Sequence, residues 1–228
     1  MLYTEETVRA NIRNRDGKRV FFLDGKDTLT PGARDFLRRE RIEIRPAGEA
    51  PIQEYKLLSG GVLTQKPEQF THLYGDVLVP KTHPRIGFRG AVDTLEAELL
   101  LCQIAVVSPF SKDIVEILAF ARHLIRCEVM NEPVHWDTLC GLSEEELRKR
   151  SHRPQEFYGQ PHFMPDATDG ATVLQLNRCR CAVRAAELAA AHAFIDGDGV
   201  CARPDILKAL NRMSSMVYIL MIQAKAKQ

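Results

Sequence analysis

Residues 203–223, RPDILKALNRMSSMVYILMIQ, decide the fold class. Ile206, Leu210, Met213, Val217 and Leu220 recur at spacings of three and four, which puts them on one face of a helix. A second stripe, Asn211, Ser215 and Tyr218, runs beside that face. A helix this apolar belongs in a core. The Asn211–Arg212 pair and the Ser214–Ser215 pair at its edge therefore call for a reason.

The same periodicity recurs upstream. Residues 171–195, ATVLQLNRCRCAVRAAELAAAHAFI, read as a long helix with Leu176, Val183, Ala186 and Ala190 inward. Residues 91–107 turn Val92, Leu95, Leu99 and Val106 inward. Residues 111–132 start at Ser111 as a cap and turn Ile114, Ile117, Leu118, Ala121, Leu124 and Ile125 inward. A short helix opens at Ser143 with the capping-box glutamate Glu146. Residues 151–170, punctuated by Pro and Gly and rich in aromatics, read as a long crossing loop. Long amphipathic helices joined by loops predict a mainly α protein built as a helical bundle over residues 70–228.

The chain begins differently. KRVFFLDG (18–25) reads as a strand ended by an Asp-Gly turn. TPGARDFLRRE (30–40) reads as a helix with Thr30 as N-cap and Pro31 at the first position. RIEIRP (41–46) reads as a second strand. Residues 1–48 are thus a small N-terminal α+β unit, and 49–69 a linker or mobile loop.

The chain has 228 residues, with 31 Lys and Arg against 30 Asp and Glu, so no global charge draws it to nucleic acid or an anionic membrane. No apolar run is long enough to span a bilayer, and the first residues lack a secretory signal. The six Cys are scattered without a CxxC spacing and read as reduced thiols of a cytoplasmic protein.

Two segments carry chemistry. Asn177, Arg180, Arg184 and Glu187 share one helix face, which suits a polyphosphate or carboxylate because each guanidinium offers a planar donor fork. The alternative is a solvated face with one Arg184–Glu187 pair. In residues 71–100, Thr71, His72, Gly75, Lys81, Arg85, Arg89 and Asp93 can gather hydroxyl, imidazole and cationic groups around one anion. This is not a P-loop, since GxxxxGK[ST] is missing. His72 and His83 lack the Cys or acid neighbours of a metal site, so no metal site is expected from protein ligands.

Residues 81–97 (KTHPRIGFRGAVDTLEA), 176–190 (LNRCRCAVRAAELAA) and 203–222 together resemble the ATP:corrinoid adenosyltransferases, closest to the ethanolamine-utilisation (EutT-type) branch. LTPGARDFL (29–37) and GLSEEELRKRSHRPQEFYGQPHFMP (141–165) follow that branch in order. The resemblance implies a ferritin-like bundle that moves the 5'-deoxyadenosyl group of ATP onto reduced cobalamin, with Mg²⁺. It implies phosphate contacts from Lys81, Arg180 and Arg184; of the family's T-x-L-x-G turn this chain keeps Thr71, Leu73 and Gly75, and His72, a candidate from the residue pattern itself, lies in the same turn. Asp93 would answer Arg184, commonly across a subunit boundary, and Glu187 would complete that motif. Asn211 would bind the nucleotide, where the alternative is an amide satisfied between helices. Phe157, Tyr158 and Phe163 are candidate corrin walls; otherwise they pin the loop to the bundle. The partners implied are a homo-oligomer, dimer or trimer, a B12-dependent lyase and a microcompartment shell.

Two departures stand out. QKPEQF (65–70) replaces the family's Gly-Asp-rich phosphate loop, and the linker has no Cys for the metal motif that some members carry there. The first departure favours an alternative, a non-catalytic docking or scaffold protein built on the same bundle. A further alternative is nucleic-acid binding through Arg34, Arg38, Arg39 and Arg41, diluted by Glu40 and Glu43.

Overall fold

The computed structural model describes residues 1–15, 17–49, 54–106 and 109–227. The chain forms two compact units, Met1–Glu54 and Tyr55–Gln228.

In the first unit, β3 (Lys18–Leu23) and β5 (Glu43–Pro46) pair in parallel, joined through α2 (Pro31–Arg39). The Thr30 side chain accepts from the Ala33 N–H and Pro31 opens α2, as the sequence indicates. Shorter pieces surround this unit: β1 (Leu2–Tyr3) beside β4 (Thr28–Leu29), β2 (Arg13–Arg15) beside β3, and α1 (Glu5–Ala10) against α2. Val8, Phe21, Ala33, Phe36 and Leu37 make its core. Arg39 lies over the Phe36 ring and beside Glu5 and Glu40, so that part of the basic helix is neutralised locally.

The second unit opens with a small sheet, not with a linker. β6 (Tyr55–Leu57) and β7 (Val62–Leu63) join β8 (Phe70–Tyr74) and β9 (Val77–Pro80) in the order β7-β6-β9-β8. The stretch read as a linker over 49–69 is thus partly strand, because β6 finds a parallel partner in β9. Residues 50–53 of that stretch lie outside the described residues. Gly75, with φ at 49°, turns β8 back into β9.

The bundle follows. α3 (Pro84–Ala105) packs on α4 (Ser111–Met130) and α7 (Gly170–Phe194), and α7 packs on α8 (Pro204–Lys225). α5 (Glu144–His152) and the short α6 (Pro154–Tyr158) lie against α8. α3 starts seven residues before the expected point, because His83 caps it and Pro84 fits its first position. Ser111 is the first helical residue of α4, not its cap. Ser143 and Glu146 form the expected capping box. The crossing loop contains α6, which Gly159 ends in a left-handed conformation (φ 67°).

The inward residues read from periodicity are buried in one continuous core, with Ile125 packed at its edge. α8 is the most enclosed helix: Ile206, Leu210, Met213, Val217 and Leu220 have no exposed surface. Its N-terminus is fixed by Asp205, whose carboxylate accepts from Arg203 and from the Val134 N–H. The start of α7 is fixed by the buried Asp169, which pairs with Lys225 near the end of α8. No helix of the described residues is long and apolar enough to cross a membrane.

Candidate functional site

The polar stripes of α7 and α8 face one cleft. On α7, residues 177, 180 and 184 step by three and four; on α8, residues 211, 214, 215, 218 and 221 do the same. Side-by-side packing of the two helices brings them together around a cavity of about 680 Å³. Asn177, Arg180, Arg184, Asn211, Ser214, Ser215 and Tyr218 line it. The end of α5 and the following loop complete the wall with His152, His162, Phe163, Met164 and Pro165. The α7–α8 wall is therefore cationic and amide-rich, with Met221 as its apolar member, and the loop wall sets Phe163, Met164 and Pro165 beside His152 and His162.

The guanidiniums are held in different ways. Arg180 lies over the Tyr218 ring, 5.0 Å from its centroid, and its buried Nε has no hydrogen-bond partner among the described residues. Arg184 is exposed and forms no ion pair with any described residue. Two donor forks of unspent capacity beside a concave wall suit an anion with several oxygens. Tyr218 is fixed in turn by His162. The His162 Nε2–H donates to the His152 carbonyl (3.3 Å), which leaves Nδ1 to accept from the Tyr218 hydroxyl (2.9 Å).

Asn211 is engaged at both ends of its amide. Its Nδ2 donates to Glu187 Oε1 (3.0 Å), and its Oδ1 accepts from Arg212 Nη1 (2.6 Å). The amide at the edge of the core thus bridges α8 to α7 with one of its two Nδ2 protons and also lines the cavity.

Other expected site residues lie apart from this cavity. Thr71 and His72 are on β8, and Lys81 follows β9; none lines it. His72 Nδ1–H donates to the Gly75 carbonyl (3.0 Å), and Lys81 pairs with Glu68 (2.9 Å), so the hairpin stabilises its own turn. Asp93 is exposed on α3 and is not paired with Arg184 within the chain. Phe157 lies against Lys149 and Arg150, and Tyr158 borders a separate cleft with Phe110 and Asp113, so of the three aromatic candidates only Phe163 reaches the cavity. The reason is α6, which turns the side chains of 157 and 158 away from the loop that follows.

Arg85 and Arg89, expected near an anion, have an internal one. Glu128 on α4 has no exposed surface; Arg85 Nε donates to its Oε1 (2.5 Å) and Arg89 Nε to its Oε2 (2.7 Å). Arg89 also donates to the Leu73 carbonyl (2.6 Å), which ties β8 to α3. His83, the cap of α3, is held below the usual imidazole range by burial and by the charge of Arg85. Among the described residues no three His, Cys, Asp or Glu converge as a metal site.

Beside the cavity, across Arg184 and Glu187, lies an apolar shelf of Ala185, Leu188, Ala191, Ile195 and Leu207. Leu188 is 60% exposed there. Sequence reasoning missed His162, Met164 and Met221 as wall residues. Met221 was legible in principle, seven residues after Ser214 on the same face; the two loop residues carry no periodic signal.

The family model for cobalamin adenosyltransferase matches residues 63–224. The corrinoid adenosyltransferase EutT of Salmonella typhimurium (strain LT2) is 33% identical, over 98% of this chain and 92% of the relative. The protein of the same description from Escherichia coli (strain K12) is 32% identical, over 99% of this chain and 92% of the relative. No solved structure matches.

Proposed function

Because the chain belongs to the cobalamin adenosyltransferase family of transferase enzymes, we propose that it transfers the 5'-deoxyadenosyl group of ATP to the cobalt of cob(I)alamin. The observation that carries this reading is the cavity that joins Arg180, Arg184 and Asn211 to an apolar wall. In the reaction the cobalt electron pair forms the bond to C5', the C5'–O bond breaks, and triphosphate leaves with that bond's electrons. The leaving group is strongly anionic. Guanidiniums already aimed at its position stabilise the developing charge without reorganising during the step.

Arg180 and Arg184 grip the triphosphate and Asn211 the nucleotide. Mg²⁺ arrives with ATP, held mainly by phosphate oxygens, which is how this ion commonly binds. When bound it neutralises phosphate charge. Glu187 is the carboxylate that α7 carries, and its Oε1 orients Asn211. Phe163 and Met164 face the corrin. An apolar contact there withholds a lower axial ligand from cobalt and eases reduction to Co(I), since axial ligation tunes the potential.

The hairpin residues Thr71, His72 and Lys81, with Asp93, complete the site from a second copy of the chain in a homo-oligomer, dimer or trimer. Two features support this: Asp93 and Arg184 are both exposed and unmatched within the described chain, and the apolar shelf flanks Arg184. We place the product with a B12-dependent lyase of ethanolamine utilisation, in a microcompartment. The test for the shared site is subunit mixing. Lys81→Ala and Arg184→Ala chains, each inactive alone, regain activity on co-assembly if the site is shared, and stay inactive if each chain is self-sufficient.

A further inference from the structure

We propose that Arg212 is a positioning residue: it locks the amide of Asn211 so that its remaining N–H faces the cavity as a donor. This rests on the reading of Asn211 as a nucleotide-binding residue.

An asparagine amide has two ends of nearly the same shape, one accepting and one donating. Only its partners decide which end points where. Glu187, on α7, has a carboxylate that accepts, and it takes the Nδ2 proton at 3.0 Å. Arg212 has a guanidinium that can only donate, and its Nη1 reaches Oδ1 at 2.6 Å. The reverse orientation would set Oδ1 against the carboxylate and the NH₂ against the guanidinium, two repulsive contacts in place of two hydrogen bonds.

Arg212 is itself held. Its side chain is 12% exposed, and its buried Nε faces Glu144 Oε1 at 3.8 Å, an ion pair without a hydrogen bond. The other oxygen of Glu144 pairs with Lys208 at 3.1 Å. Glu144 is the first residue of α5. The chain of contacts Glu144–Arg212–Asn211–Glu187 thus spans α5, α8 and α7. Arg212 does not line the cavity, so it acts on a ligand through Asn211. With Oδ1 and one Nδ2 proton engaged, Asn211 offers the cavity a second N–H, which requires an acceptor on the ligand: a phosphate or ribose oxygen, or a ring nitrogen.

The test compares Arg212→Met, which keeps an apolar stem and removes the donors, with Arg212→Gln, which keeps an N–H donor. KM for ATP, KM for the corrinoid and kcat are measured, together with calorimetric binding of inorganic triphosphate and MgATP. Arg212→Met is expected to raise KM for ATP about tenfold and weaken MgATP binding to match, with kcat and the corrinoid KM within about twofold, the scale of one lost oriented hydrogen bond. Arg212→Gln recovers most of the affinity. A normal KM in Arg212→Met overturns the proposal, and so does equal damage in the Met and Gln variants, which would mean packing or charge is what matters. Asn211→Ala separates the two readings. If it loses MgATP affinity while Arg212→Met keeps it, Arg212 alone is refuted. If it binds as the parent does, the nucleotide role of Asn211 falls and the role of Arg212 with it.

Discussion

Glu128→Gln tests how the hairpin side of the bundle is held. The parent carboxylate is fully buried and divides its two oxygens between Arg85 and Arg89, whose side chains are only 20% and 18% exposed. The substitution keeps the volume and one acceptor, but it turns an NH₂ toward one guanidinium and leaves two cations without a counter-charge. Breaking a buried pair from one side costs about 3–5 kcal/mol. Arg89 also bonds the Leu73 carbonyl, so the strain reaches β8 and the residues around it. In urea, with a slope of about 2 kcal/mol/M, the midpoint should fall by roughly 1.5–2.5 M. Circular dichroism of parent and variant at pH 7 measures it. KM for ATP should rise as the hairpin loosens, because Lys81 follows it. A shift below about 0.3 M would refute the reasoning, since it would mean that water already screens the triad.

Asp93→Asn is expected to weaken ATP binding or shrink the oligomer while leaving the pH profile alone; an unchanged KM and an unchanged size in sedimentation would remove its role. Phe163→Ala should raise the corrinoid KM and slow turnover with cob(II)alamin plus reductant, leaving KM for ATP near the parent value, whereas Phe157→Ala should do neither. Burial pushes the Asp205 carboxyl up, but the Arg203 guanidinium and the Val134 N–H outweigh it and hold the pKa at about 2, against 3.8 unperturbed. A depressed carboxylate pKa stabilises the fold above the unfolded value and loses that contribution as pH falls through the folded one. Asp205→Asn should therefore cost about 2 kcal/mol at pH 7. The gap from the parent should close between about pH 4 and pH 2, and denaturation curves across that window check it.

The long helices α3, α4, α7 and α8 were legible because their core residues repeat every three or four positions over many turns, and α2 and α5 because their caps, Thr30-Pro31 and Ser143 with Glu146, have local chemical signatures; α1 and α6 are too short for the repeat to show. The stripe from Asn177 to Arg184 and the one from Asn211 to Tyr218 were legible for the same reason, and the structure brings them to one cavity. The strands β1, β2, β4, β6 and β7 have two or three residues each, too few for any period to show. The pairing of Arg85 and Arg89 with Glu128 joins residues about forty apart on different helices, which no local pattern reports. Phe157 and Phe163 look alike in a Pro-rich stretch; only the turn of α6 decides which one reaches the cavity.

The most direct measurement is an anaerobic spectral assay of the purified full chain with MgATP and chemically reduced cobalamin. The expected result is growth of the light-sensitive adenosylcobalamin spectrum with release of triphosphate, abolished in Arg184→Ala. Folded protein that yields no product with ample Co(I), or an Arg184→Ala variant as active as the parent, would contradict a catalytic site built on the α7–α8 cleft.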